Sequence, residues 1–189
     1  MKNHLQKGLT GHILLATPQM QDELFEHAAV FICSHDEEGA VGIILNKPLE
    51  SITFLELLAH LKMEAPKELH ADKIHFGGPV EMNRGFVLHS TDYMHPTSLE
   101  IHEYIAITSN LDVFKTIHEG KGPKDMLIAL GYAGWGKGQL EQEIQESSWI
   151  HVPATPDLIF KKDSKDKWES AIRSLGIDSN FLATETGRA

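Results

Sequence analysis

Ala29-Val30-Phe31-Ile32-Cys33-Ser34-His35, then Asp36-Glu37-Glu38-Gly39, then Ala40-Val41-Gly42-Ile43-Ile44-Leu45: this stretch decides the fold. Both flanks are nearly continuously apolar and rich in β-formers, and the acidic connection ends on glycine. That pattern reads as a β-hairpin. Strands apolar on both faces are central strands, covered on both sides. Asn46-Lys47-Pro48 ends the second strand, because proline cannot donate to a ladder.

Outward from the hairpin, Thr53 and Glu56 have the spacing of a capping box, and Phe54, Leu57, Leu58 and Leu61 follow at helical period. Ile74-His75-Phe76 and Gly85-Phe86-Val87-Leu88-His89 read as strands separated by Gly77-Gly78-Pro79-Val80. Tyr104 to Thr108 reads as another strand. Ser109 or Asn110 then caps a helix with Leu111, Phe114 and Ile117 inward, ended by Gly120-Lys121-Gly122-Pro123. Met126 to Tyr132 is a further buried strand. A helix from about Gly138 follows, with Leu140 and Ile144 inward and Glu141, Glu143 and Glu146 largely outward. Trp149 to Val152 and Leu158 to Phe160 read as short strands, and the last helix carries Trp168, Ala171, Ile172 and Leu175 on one stripe before Gly176. Strands outnumber helices and often follow one another directly. This predicts a single α+β domain over residues 1–176, a mixed, largely antiparallel sheet with helices packed on it, and a polar tail over 177–189.

The chain has 189 residues, 41% hydrophobic and 23% charged, which is enough to bury a real core and excludes disordered, collagen-like and coiled-coil chains. Seventeen Lys and Arg against 27 Asp and Glu give a net charge of −10, which repels phosphate backbones and speaks against nucleic acid as a partner. The one cysteine, Cys33, excludes an internal disulfide and multi-cysteine zinc sites and points to a reducing, cytoplasmic setting. Ile13-Leu14-Leu15-Ala16 is too short for a signal-peptide core, and no apolar run is long enough to span a membrane.

The chain resembles the YqgE/AlgH family of bacterial proteins. The resemblance runs through Leu9-Thr10-Gly11-His12, Ala16-Thr17-Pro18, Gly42-Ile43-Ile44-Leu45-Asn46-Lys47-Pro48-Leu49 and Gly77-Gly78-Pro79-Val80. It continues with Arg84-Gly85-Phe86-Val87-Leu88-His89-Ser90, Leu130-Gly131-Tyr132-Ala133-Gly134-Trp135-Gly136 and Gln139-Leu140-Glu141, Glu143-Ile144 and Trp149. It implies an α+β fold in a cytosolic bacterial protein and no established activity. The AlgH name ties some members to alginate production, with a transcriptional role proposed.

Several chemistries can be weighed on the residues. Gly131-x-x-x-x-Gly136-Lys137 sits where a phosphate loop belongs, but Gly138 stands where the magnesium-holding hydroxyl should be. Cys33 and His35, two apart on a strand, face one side, with Asp36 nearby, but a cysteine inside an apolar run behaves as a small hydrophobe. Twelve histidines include no His-x-x-x-His pair; His89, His95 and His102 come nearest, so no metal and no cofactor is expected. Lys161-Lys162 and Lys165-Asp166-Lys167 are interleaved with acids, as on a solvated helix entry.

Arg84 stands out, because the other arginines, Arg173 and Arg188, lie in the final helix and tail. A loop arginine suits a bidentate carboxylate or phosphate contact. Asn46, Lys47, Gly77, Gly78 and Arg84, walled by Tyr132 and Trp135, form the candidate ligand site. Against it stands an internal ion pair for Arg84 and a turn-bonding role for Asn46. The reading is a non-catalytic accessory or regulatory protein binding a small anionic ligand or a protein partner. The alternatives are an enzyme using Asn46, Lys47, Arg84 and His89, with no catalytic residue assigned, and a direct DNA-binding regulator.

Overall fold

The hairpin forms where the pattern places it: β2 (Ala29–Asp36) and β3 (Gly39–Ile44) pair antiparallel across Glu37 and Glu38. The structure, a computed structural model, describes residues 8–60, 62–64, 73–110 and 112–178. The predicted helical positions Leu61 and Leu111, and the tail beyond residue 178, lie outside the described residues. The other elements are β1 (His12–Ala16), β4 (Pro48–Thr53), α1 (Phe54–His60), β5 (Lys73–Phe76), β6 (Val80–Ser90), β7 (Leu99–His102) and β8 (Ile105–Thr108). After them come α2 (Asp112–His118), β9 (Met126–Gly136), α3 (Gln139–Gln145), β10 (Trp149–Pro153) and α4 (Ser164–Ser174).

The strands run in the order β10-β1-β2-β3-β9-β6-β8-β7, with β5 parallel to β9 and antiparallel to β4. The other pairings between described strands are antiparallel, so the fold is the mixed, largely antiparallel α+β domain that the element pattern predicts. The sheet curls: a Cβ on Gly11, beside β1, would lie 3.5 Å from the His102 ring of the edge strand β7.

Residues paired across strands share a face. Ile13 opposite Phe31 and Leu88 opposite Leu127 belong to one core, closed by Trp168, Ala171 and Ile172 of α4. Leu14 opposite Val30 faces the other way, into a core with Ile44, Trp135 and Leu140 of α3. Val87 opposite Ile128 belongs to a third core, under Phe54 and Leu58 of α1 and Val113, Phe114 and Ile117 of α2. The central strands are thus covered on both sides, as their apolar runs require.

The second strand ends at Ile44, ahead of Asn46-Lys47-Pro48, and Pro48 opens a new strand, β4, because a first strand residue needs no ladder donor. Two expectations need correction. Leu158–Phe160 is not a strand: these residues lie in a π-helical turn, Asp157–Lys161, that starts after Pro156 in helical conformation. Cys33 and His35 do not share a face. The β2–β3 register shifts between Ile32 and Ser34, and this bulge at Cys33 breaks the alternation. Cys33 packs toward the α4 side, while His35 bonds Glu141 of α3 on the other.

Candidate functional site

The residues picked out by sequence come together only in part. Backbone bonds join Ile44 N to the Gly77 carbonyl (2.9 Å) and Phe76 N to the Lys47 carbonyl (2.8 Å), so the end of β3 meets the end of β5. Asn46 is used internally there: its Oδ1 accepts from Ala29 N (2.8 Å) and its Nδ2 donates to the His27 carbonyl (2.8 Å). Burial lowers the Lys47 amine from its ordinary range, while the charges of Glu26 and Asp22 hold it up. Its neighbours are therefore carboxylates.

Arg84 is not in a loop but inside β6, in an exposed stretch where the register against β9 slips between Val80 and Gly85. Its guanidinium pairs with Glu81 (3.0 Å), donates to Ser109 Oγ (3.3 Å) and lies 5.2 Å over the Phe86 ring. Tyr132 meets the same Phe86 edge-on at 5.9 Å. Trp135 does not wall this place. It is buried on the opposite face, in the core under α3, and its indole N–H donates to Glu143 Oε2 (2.9 Å). His89 is fully buried between Thr108 Oγ1 and the Ser90 carbonyl, away from Arg84. Gly131 to Gly136 is strand, not loop, because β9 runs unbroken to Gly136. No group of three His, Cys, Asp or Glu side chains among the described residues can hold a metal ion.

The chemistry gathers elsewhere. A cleft of about 520 Å³ opens between β5, the start of β9, the π-helical turn and the start of α4. Lys73, Lys162, Lys165 and Lys167 line it against one acid, Asp163. Lys162 is in long reach of Asp157 (3.9 Å), and Lys73 and Lys165 have no ion pair among the described residues. Pro48, Leu127, Ile159 and Phe160 supply apolar wall. On a protein of net charge −10, this is a local concentration of positive charge.

Two buried groups shape the floor. Lys167 is only 4% exposed, not the solvated residue its acidic neighbours imply. Its Nζ donates to the carbonyls of Leu158 (3.2 Å) and Ile159, which ties α4 to the π-helical turn. Burial pushes its amine down to about 8, against the pull of Asp163 and Asp157. His75, 7% exposed, stands between two partners: Nδ1 is 3.3 Å from the Ile128 carbonyl and Nε2 is 2.9 Å from Ser164 Oγ. Burial pushes its imidazole down to about 4, helped by the charges of Lys167 and Lys73 and opposed by the bond to Ile128. The imidazole is therefore neutral at neutral pH.

No sequence pattern joins these residues. His75 and Ser164 are 89 positions apart, and the π-helical turn that brings them together reads as a strand. The lysine density of 161–167 was the available signal, and the alternating acids mask it.

The fold defines a class: a single α+β domain with a curled, mostly antiparallel sheet, which in this chain carries the lysine-lined cleft at the start of α4. Within that class the chain belongs to the AlgH-like family, whose model (DUF179) matches residues 13–180. A UPF0301 protein of Jannaschia is 46% identical over 187 residues, covering 98% of this chain and 97% of that one. One from Nitrobacter hamburgensis is 44% identical over 192 residues, covering 97% and 89%. The solution structure of AlgH from Pseudomonas aeruginosa superposes with a TM-score of 0.78 at 35% identity over the whole of both chains. A Corynebacterium diphtheriae crystal structure, at 19% identity and a TM-score of 0.72 over 92% and 91% of the two chains, shares the fold. No described helix is long and apolar enough to cross a membrane.

Proposed function

We propose that this is a cytoplasmic accessory or regulatory protein that binds a small anionic ligand, and that the ligand sits in the lysine-lined cleft. The observation that supports this reading is a cleft of about 520 Å³ whose lining includes Lys73, Lys162, Lys165 and Lys167 and one acid, Asp163, with Lys73 and Lys165 outside any ion pair among the described residues, on a chain of net charge −10. That volume lies in the range of small-molecule sites, which span roughly 300–1,000 Å³. Arg84 is engaged by Glu81 and lies in the exposed stretch of β6. The net charge disfavours nucleic acid as partner. A protein partner has a different place to dock: β7 is an edge of the sheet, and Leu99 on it is 69% exposed.

The test is thermal unfolding with benzoate or inorganic phosphate, against chloride at equal ionic strength. A ligand that binds only the folded state raises stability by about 2.7 kcal/mol at a hundredfold excess over its Kd. The midpoint rises with benzoate or phosphate, Lys73→Ala with Lys165→Ala removes the rise, and Arg84→Ala keeps it. A rise that survives the lysine substitutions, or its absence in the unaltered protein, refutes the reading.

A further inference from the structure

We propose that Ser164 and His75 are a nucleophile and its general base, and that the cleft hydrolyses small carboxylic esters that carry a negative charge. The inference rests on the anion reading of the same cleft and names the substrate class for it.

The tautomer comes first. The Ile128 carbonyl can only accept, so the Nδ1 of His75 facing it carries the ring proton. Nε2 then offers its lone pair to Ser164, whose O–H donates across 2.9 Å. This is the polarity that a serine nucleophile needs, with a backbone carbonyl in the orienting place of a third member. The fold contains a second pair of the same form, His89 Nε2 with Thr108 Oγ1 at 2.9 Å. There both residues are buried, at 0% and 1% exposure, and no substrate reaches them. Ser164 is half-buried and lines the cleft. Access separates the two pairs, not geometry.

Stabilisation of the oxyanion has candidates beside the nucleophile. Ser164 and Lys165 are the first residues of α4, ahead of its first backbone bonds, which Asp166 and Lys167 donate to the Asp163 carbonyl. Asp163 makes no side-chain cap, and among the described residues nothing accepts from the Ser164 and Lys165 N–H groups. Two adjacent backbone donors at a nucleophile are what a tetrahedral oxyanion requires. Lys73 and Lys165 hold the substrate's own charge.

The steps balance. Ser164 Oγ attacks the ester carbon and its proton passes to His75 Nε2. The tetrahedral intermediate collapses, the bond to the alcohol oxygen breaks, and that oxygen takes the proton from His75. Water then attacks the acyl-serine, gives a proton to His75, and releases the carboxylic acid as the proton returns to Ser164 Oγ. The imidazole titrates at about 4, so it is a weak base and turnover is slow.

The full-length protein is incubated with 4-acetoxybenzoate, an activated anionic ester, and with neutral phenyl acetate. Release of phenol is followed, and the acetylated peptide is mapped by mass spectrometry. The anionic ester turns over with the higher kcat/KM, and acetyl is found on Ser164. Ser164→Ala and His75→Gln each lower turnover at least ~100-fold. In Ser164→Cys the acetyl moves to the new thiol, which controls for a misfolded alanine variant. Arg84→Ala is unchanged. Turnover that survives Ser164→Ala, acetyl on another residue, or no turnover while benzoate still binds overturns the catalytic inference and leaves the anion reading standing. No rise of the thermal midpoint with either benzoate or phosphate in the unaltered protein overturns both.

Discussion

Glu143 shows how much one side chain can carry. The sequence places it on the outer face of α3, yet its Oε2 accepts from two indoles, Trp135 Nε1 at 2.9 Å and Trp149 Nε1 at 2.7 Å. The two rings meet edge-on at 6.0 Å, and Gln139 Nε2 holds the other carboxylate oxygen at 2.9 Å. The clasp fastens α3 to β9 and β10 together. Glu143→Leu keeps the apolar bulk and leaves two buried N–H donors without an acceptor. Unmade buried donors cost about 1–3 kcal/mol each, so the substitution lowers stability by roughly 3 kcal/mol, measured by urea unfolding. The same substitution on a Trp135→Phe, Trp149→Phe background costs much less, because no donor is stranded. Equal losses on both backgrounds would remove the clasp from the account. Cys33 is the contrasting case: burial pushes its thiol up to about 12, so the thiolate needed of a nucleophile is not populated at neutral pH.

At the scale of elements, the crossing of β5–β6 over β9 is tightly constrained. Gly131 has φ +72° inside a strand, and a Cβ there would lie 2.3 Å from the Gly78 carbonyl oxygen. Gly78 in turn would drive a Cβ to 2.1 Å from the Tyr132 carbonyl carbon. These glycines let backbones touch; they do not cradle a phosphate. Gly131→Ala combines a left-handed conformation, which costs about 1–3 kcal/mol in itself, with a clash against main chain that cannot move aside. The soluble yield and thermal midpoint both fall, whereas Gly138→Ala, where a Cβ meets nothing within 4 Å, loses only the conformational part. Elements governed by local chemistry were legible in the sequence. The Thr53 and Glu56 capping box forms as spaced, with Glu56 Oε2 accepting from Thr53 N at 2.7 Å, and Asn110 caps α2 through Asp112 N. What could not be read depends on partners far along the chain. The bulge at Cys33 answers to β3, Arg84 is placed by a slip against β9, and the cleft exists because α4 returns to β5. Of the seven candidate ligand residues, Lys47 and Gly77 lie at strand ends joined through backbone bonds, Gly78 packs on the Tyr132 backbone and Asn46 is bonded to Ala29 and His27, and composition and spacing do not encode any of this.

For the molecule as a whole, the buried bases set the dependence of stability on pH. His75 titrates near 6.5 in an unfolded chain and near 4 in the fold. As pH falls through 6.5 the unfolded chain takes a proton that the folded one refuses, so stability drops until about pH 4. The difference corresponds to about 3 kcal/mol for His75 alone. Burial also lowers His89 and His151 from their ordinary range, so they act in the same direction. Lys167 works at the other end: its folded value of about 8 lies below its ordinary 10.5, so the fold sheds that proton first and stability rises between those values. An opposing effect comes from net charge, because protonating surface histidines relieves the self-repulsion of a −10 chain on acidification. That relief acts through water between exposed groups and is screened by salt, whereas the desolvation of a buried imidazole is not. Urea unfolding at moderate salt should therefore show a plateau from about pH 6.5 to 8, a fall on the acid side and a climb from about pH 8 to 9; above that the buried Cys33 thiol, pushed from 9.0 up to about 12, opposes the Lys167 gain because the unfolded chain ionises it first. His75→Gln keeps a neutral side chain in the site and removes its share of the acid limb, leaving the alkaline limb in place. An acid limb that this substitution leaves unaltered would place the titrating group elsewhere and remove His75 as a buried neutral base.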